Sequence, residues 1–328
     1  MRWALAALLL MVAPLALAEP LEELKLLSEH VVDNMAGGNL SGLAVCGDGL
    51  WTESDRDDNL IFRLNPTTDR IWKAEPLRFE VPRVPPSGLA WGLRVRVWAA
   101  AFIRGGDLDF EGITCDGQGN RYLVSEGHAG VLQVPVKGPA RWLDIDPQMV
   151  RQARAHGLLQ HFNAIFEGLA INPAGDRLWL AAERENRGLI ALKREQDHWV
   201  CDGPCVLMSE GGDYPLPAQL KTGRPMSHDF ADLSLYHGKL FTMERNGYQI
   251  CRRDPHSAAV EHCWSFAEEA LQPGRRYNQP YGLVEALVID DNGAWLGIDN
   301  NDGPRVDGEK RPIVWRFAAP AAGWDAAP

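Results

Sequence analysis

Signatures of the common hydrolases and nucleotidases are missing from this chain. It has no Gly-x-Ser-x-Gly elbow, no His-Glu-x-x-His and no Gly-rich phosphate loop ending in Lys-Ser or Lys-Thr. Those absences argue against a serine hydrolase of the usual kind, a helical zinc protease and a P-loop enzyme. Cys-x-x-Cys pairs are absent too, and no histidine stands nearby at zinc spacing, so a zinc site is not expected. Positive charge is in short supply: 33 Lys and Arg face 44 Asp and Glu, a net charge of −11 over 328 residues. An acidic chain disfavours nucleic acid and anionic membranes as partners and favours cations, or anions held through a bridging metal. No Pro- or Ser-rich linker divides it, which points to a single domain.

Long apolar runs are equally scarce. One stands out, Trp3 to Leu17, and its 15 residues fall short of the roughly 20 that span a bilayer. Arg2 precedes it and Ala16-Leu17-Ala18 closes it with a small-x-small cleavage site. Residues 1–18 therefore read as a signal peptide and 19–328 as the mature domain, periplasmic or secreted, free of the membrane after cleavage and monomeric. All six cysteines lie in the exported part, where disulfides persist. Six cysteines allow fifteen pairings. The most local set joins Cys251 to Cys263 across a turn, Cys201 to Cys205 around Asp-Gly-Pro, and Cys46 to Cys115 between neighbouring repeats.

What the chain has in abundance is one hairpin, written five times. The copies are SGLAVCGDGLWTESD from Ser41, EGITCDGQGNRYLVSE from Glu111, EGLAINPAGDRLWLAAE from Glu167, ADLSLYHGKLFTME from Ala231 and EALVIDDNGAWLGID from Glu285. Each opens on a short apolar strand, turns through Gly, Asn, Asp or Pro, and returns as a second strand rich in β-formers. A third apolar segment often follows, as at Gly130 to Val134. The starts lie 54 to 70 residues apart, which implies an all-β chain forming a single β-propeller of five blades. A degenerate sixth blade from residues 82–106 is the alternative. The last unit, Glu285 to Phe317, is short by a strand, so the N-terminal segment is expected to close its blade. Leu21 to Val32 and Pro147 to His156 read as small helical patches.

The first residue of a hairpin's first strand and the last of its second lie at the same open end. Glu111 and Glu126, Glu167 and Glu183, Asp232 and Glu244, Glu285 and Asp299 flank four hairpins, and Ser41 with Glu53 and Asp55 flanks another. Blades radiate from one axis, so these ends form a ring of carboxylates around one mouth of the channel. Such a ring must bind cations, pair with arginine or hold raised pKa values. Arg184, Arg187 and Arg245 directly follow rim carboxylates or lie close by, which implies some pairing. Hard oxygen ligands on several strands suit Ca²⁺. The expected metal ligands are Glu111, Glu126, Glu167, Asp232, Glu285 and Asp299. Glu183 and His228 are the expected proton-transfer pair. The plainer reading is that strand-end carboxylates cap backbone N–H groups of the next blade, with Phe110, Phe166 and Phe230 packing between blades. The loop from Gly211 to Arg224 is expected over the mouth, where Lys221 and Arg224 would meet an anionic substrate.

At Phe110-Glu111-Gly112-Ile113, Phe166-Glu167-Gly168-Leu169, Phe230-Ala231-Asp232-Leu233 and Val284-Glu285-Ala286-Leu287 the chain resembles the phytase-like family. Met243-Glu244-Arg245 and Ile298-Asp299-Asn300-Asn301-Asp302 extend the likeness, which runs from about Ser41 to Phe317. That family, described as having esterase-like activity of phytase, comprises exported bacterial β-propellers. The resemblance implies that fold, export and an ester-bond hydrolase. The Asp-Asp-Pro-Ala signature of calcium-dependent propeller phytases is not found near the N-terminus, which weakens the case for phytate itself. Two functions therefore stand: a metal-assisted hydrolase of small anionic phosphate or carboxylic esters, and a non-catalytic propeller binding a ligand or protein partner.

Overall fold

Every one of the five hairpins forms, and each seeds a sheet. The computed structural model describes residues 20–35, 38–47, 49–96, 107–161, 164–217, 219–220, 223–279, 282–301 and 303–326. The first strands of the sheets are Gly42–Cys46, Phe110–Cys115, Phe166–Ile171, Asp232–Tyr236 and Val284–Asp290. Each of these packs beside the next, and the fifth returns to the first, so the sheets are the blades of a closed five-bladed propeller. Gly112 and Gly168 show how tightly the inner strands approach. A Cβ on Gly112 would lie 3.2 Å from the Gly168 Cα, and one on Gly168 would lie 2.6 Å from the Asp232 Cα.

The strands read as almost unbroken apolar runs because a blade is covered on both faces. Side chains alternate along a strand, so neighbours such as Leu169 and Ala170 enter different cores. Five hydrophobic clusters result, one at each blade interface, the last joining blade 5 to blade 1 through Leu43, Ala286 and Val288. Phe110, Phe166 and Phe230 are fully buried in three of them, as packing residues.

The fifth blade is closed by the N-terminal segment, as its short sequence requires. Leu26–Asp33 pairs antiparallel with Ile313–Ala318, and the register sets Val31 opposite Ile313. The expected helix over Leu21 to Val32 is therefore a strand: the open edge of blade 5 offers hydrogen bonds and a core for Val31 and Val32 that outweigh local helical pattern. The other helical patch is present as Gln148–Ala155. No sixth blade forms among the described residues of 82–106, and 97–106 lie outside them, as do Lys221, Asp302 and residues 1–18, where a signal peptide is expected.

The disulfides are Cys46–Cys115, Cys201–Cys205 and Cys251–Cys263, leaving no free cysteine. The first staples the inner strands of blades 1 and 2. Disulfides on this scale belong to oxidising compartments. No helix among the described residues is long and apolar enough to cross a membrane.

Val31 is 1% exposed within the closing strand. Val31→Asp should lower the stability of the whole propeller by about 3 kcal/mol or more, because an unpaired carboxylate would be buried. Urea unfolding followed by tryptophan fluorescence measures this; an unchanged midpoint would contradict closure through this strand.

Candidate functional site: an acidic mouth built on three bulges

In blades 2, 3 and 5 the ladder between the first two strands slips at the same place. Phe110 pairs with Ser125 and Gly112 with Val124; Phe166 pairs with Ala182 and Gly168 with Ala181; Val284 pairs with Ile298 and Ala286 with Gly297. The extra residues are Glu111, Glu167 and Glu285. A β-bulge leaves its extra residue outside the ladder and re-aims its side chain. All three glutamates line one cavity of about 630 Å³, together with Asp55, Glu183 and Asp299. In blades 1 and 4 the paired ladder begins one residue further on, at Gly42 and Asp232, and the position of the bulged glutamates is taken by Ser41 and Ala231.

One cation organises this mouth. Arg245 follows the second strand of blade 4, in a turn of 3₁₀ helix, and is 7% exposed. Its Nε donates to Asp229 at 2.9 Å, its two terminal nitrogens reach Glu285 and Glu183, and Glu167 lies 3.9 Å away. The preceding residue turns the other way: Glu244 accepts from Tyr214 at 2.6 Å and from Arg253 at 2.7 Å, and pairs with Arg187 at 3.0 Å. Burial alone would raise the Glu244 carboxyl, but Arg187, Arg253 and the Tyr214 hydroxyl bring it down to about 2. Glu244 is thus a structural anion, while Arg245 is the counter-ion of the mouth.

The carboxylates gather in two groups. Asp55, Asp109 and Glu111 have oxygens within 4.8 Å of one another, and so do Glu126, Glu167 and Glu183. Such all-oxygen sets can hold a metal ion. Glu126 also caps the next blade, accepting the Ile165 N–H at 2.9 Å. Glu183 is fully buried, with Oε1 bonded to Arg184 and Arg245 and Oε2 without a hydrogen-bond partner among the described residues. Both oxygens of the buried Glu53 are likewise unpartnered.

Two expected site residues are not brought to the mouth. Asp232 stands one position beyond the bulged glutamates, because Ala231 occupies theirs. Its carboxylate accepts the N–H groups of Leu233 and Leu287, each at 2.7 Å, and ties the inner strand of blade 4 to that of blade 5. This is the capping role, with no bulge to re-aim the side chain. His228 does not line the cavity; its ring packs on Tyr214 at 4.4 Å, beside the two-stranded ribbon Asp213–Tyr214 and Met226–Ser227. Met226 and Ser227 of that ribbon do line the mouth, but no described residue of the Gly211 to Arg224 loop does; Leu216, Leu220, Gly223 and Arg224 line a neighbouring cavity instead. Two participants went unread in the sequence, Asp109 and Asp229. Their signal was the repeated Asp-Phe step, Asp109-Phe110 and Asp229-Phe230, just ahead of the inner strands.

Crowding and burial hold protons on these groups. Burial first, then the charges of neighbouring carboxylates, raises Glu53 and Glu111 well above the usual range. Burial raises Glu183 and Glu285 as well, against the opposing pull of Arg245. Asp299 is pushed up to about 7 by burial, with the Asn301 N–H opposing and Asp55 adding to the rise.

A five-bladed β-propeller with a carboxylate-lined mouth is the class these features define. Residues 36–196 match the family model described as Phytase-like, esterase-like activity of phytase. The match spans the first three hairpins; the related motifs of blades 4 and 5 lie beyond it. None of the curated proteins compared matches the chain. Similar solved structures include glutaminyl cyclase from Myxococcus xanthus, at 10% identity, covering 92% of this chain and 99% of that one with a TM-score of 0.49. The PQQ-bound aldose sugar dehydrogenase of Streptomyces coelicolor is 13% identical, with coverage of 88% and 98% and a TM-score of 0.42. Virginiamycin B lyase from Staphylococcus aureus is 14% identical, with coverage of 90% and 74% and a TM-score of 0.40. Likenesses this distant carry no argument about activity.

Removing Arg245 would strand several buried carboxylates. Arg245→Met should cost about 3–5 kcal/mol, measured by urea unfolding near neutral pH, with part of the loss recovered on acidification. The wild-type protein has its own pH signature. Unfolded carboxyls ionise near 4, whereas Asp299 keeps its proton to about 7, so the folded chain binds more protons across that window. Stability in chelator should therefore fall as pH rises from about 5 to about 8. A midpoint that rises over this range would contradict the raised carboxyls.

Proposed function

We propose that the protein is an exported, calcium-assisted hydrolase of small anionic phosphate or carboxylic esters, acting at the acidic mouth. The observation that carries this reading is the cavity itself: bulged glutamates from three blades and the strand-end Glu183 share one space of about 630 Å³. The match to the family model over residues 36–196 supports ester hydrolysis, and the complete set of disulfides supports export.

The two carboxylate groups suit different tasks. Glu183 already answers to Arg184 and Arg245, and Glu167 lies near the same guanidinium, so that group is largely compensated. Asp55, Asp109 and Glu111, supplied by blades 1 and 2, bring oxygens within 4.8 Å of one another, and they are the residues we assign to the cation. A divalent cation bound there would supply Lewis-acid polarisation of a phosphoryl or carbonyl oxygen. Glu183 performs the proton transfer. Arg184 and Arg245 fix its Oε1, which leaves the unpartnered Oε2 to take a proton from water and return it to the leaving oxygen. Burial and Glu167 raise its pKa while Arg245 and Arg184 oppose the rise, an environment that tunes a carboxyl toward acid–base work. Arg184, with a third of its side chain exposed, offers positive charge to an anionic substrate at the cavity wall. His228 has no part in this step, since its ring is engaged with Tyr214.

The test is turnover of p-nitrophenyl phosphate and p-nitrophenyl acetate with calcium and with chelator. Activity should require calcium, and Glu183→Gln should lower kcat by about 100- to 10,000-fold with the fold intact. Full activity in chelator, or in Glu183→Gln, would overturn the assignment.

A further inference from the structure

A second cavity adjoins the mouth and differs from it in chemistry. It encloses about 510 Å³ and is walled mainly by apolar side chains, among them Leu216, Leu220, Ala270, Leu271 and Trp315. The space lies within the range of small-molecule sites. Three observations join it to the acidic mouth. Met226 lines both cavities. At the end of blade 5, Val284 and Ile298 face the apolar cavity while their chain neighbours Glu285 and Asp299 face the mouth. Gly282, on the apolar wall, sits so close to Arg245 that a Cβ there would lie 2.4 Å from the Arg245 carbonyl oxygen.

Polar groups on the apolar wall are few. The Tyr277 hydroxyl is buried and makes no hydrogen bond to the described residues. Arg276 is committed to the backbone oxygens of Leu271 and Gln219, and Arg275 to Glu269. Arg224, expected at the acidic mouth, instead stands at the edge of this cavity. A ligand filling both spaces must carry an anionic, cation-seeking end and an apolar end.

We propose that this cavity is the subsite for the hydrocarbon part of an amphiphilic anionic ester whose charged group lies in the acidic mouth. The inference rests on the hydrolase reading for the substrate's reactive end, but the cavity's occupancy is independent of turnover. Charge and shape both favour this occupant: the mouth supplies carboxylates for a bridging cation with Arg184 beside them, and Met226 forms part of the wall of both spaces. Each methylene taken from water into the apolar wall should tighten binding about fourfold.

The test is isothermal titration of the full chain, in calcium, with methylphosphonate, butylphosphonate and octylphosphonate, none of which can be hydrolysed as an ester. Octylphosphonate should bind at least about tenfold more tightly than methylphosphonate. Leu220→Trp, which fills the cavity from a half-buried position, and Leu216→Asp, which puts a charge in it, should each abolish that preference while leaving methylphosphonate binding unchanged. Equal affinity for the three phosphonates overturns the proposal, as does a chain-length preference that survives both substitutions. A preference lost in both variants upholds the subsite even if no ester is turned over, which separates its fate from that of the hydrolase reading.

Discussion

Like charges gathered around one axis are the constraint to which the rest of this molecule answers. Two carboxylates about 4 Å apart repel by roughly 4 kcal/mol at an effective dielectric of 20. The mouth holds two triads, each with oxygens within 4.8 Å. The fold meets that repulsion in three ways visible in its side chains. Arg245 is buried among Asp229, Glu183, Glu285 and Glu167. Several carboxyls hold their protons well above the usual range, Glu53 and Glu111 among them. Asp232 leaves the mouth altogether and spends its charge on backbone N–H groups. The Asp55, Asp109 and Glu111 triad, with oxygens within 4.8 Å of one another, is where the proposed divalent cation would relieve what repulsion remains.

That arrangement is affordable only because the scaffold is rigid. Inner strands packed at glycine distance, five apolar interfaces and an N-terminal strand that closes the ring hold the bulged glutamates against their mutual repulsion. The Cys46–Cys115 bridge ties together blades 1 and 2, the two blades that supply Asp55, Asp109 and Glu111. A disulfide closing a long loop stabilises by about 2–4 kcal/mol, enough to offset one such charge pair.

Much of this was legible in the sequence. Turn residues and apolar strands recur in five hairpins, so blade number, the open ends with their acids, and the shortage of a strand in blade 5 could all be read. The cysteine pairing followed from closeness along the hairpins. Other features depend on tertiary partners that spacing does not reveal. Asp232 and Glu285 look equivalent as strand-opening acids, but only the latter sits on a bulge, and a slip of one residue reverses which way a side chain points. Leu26–Asp33 carries a pattern that reads as helix and becomes strand because blade 5 presents it with an edge. His228 precedes a strand just as the bulged acids do, yet the ribbon formed by the long loop captures its ring against Tyr214. The apolar cavity draws on residues spread from Leu216 to Trp315, and no motif marks it.

The central claim is that the Asp55, Asp109 and Glu111 group takes a divalent cation, and calcium titration of chelator-stripped protein by calorimetry tests it most directly. Asp109 has a φ of 53°, a left-handed conformation that asparagine adopts as readily as aspartate, so Asp109→Asn removes charge without straining the backbone. The account predicts saturable calcium binding by the wild type, at least about tenfold weaker in Asp109→Asn and retained in Glu183→Gln, a shift of at least about 1.4 kcal/mol. A wild-type protein that takes up no calcium, or an Asp109→Asn variant that binds it equally well, would contradict the account.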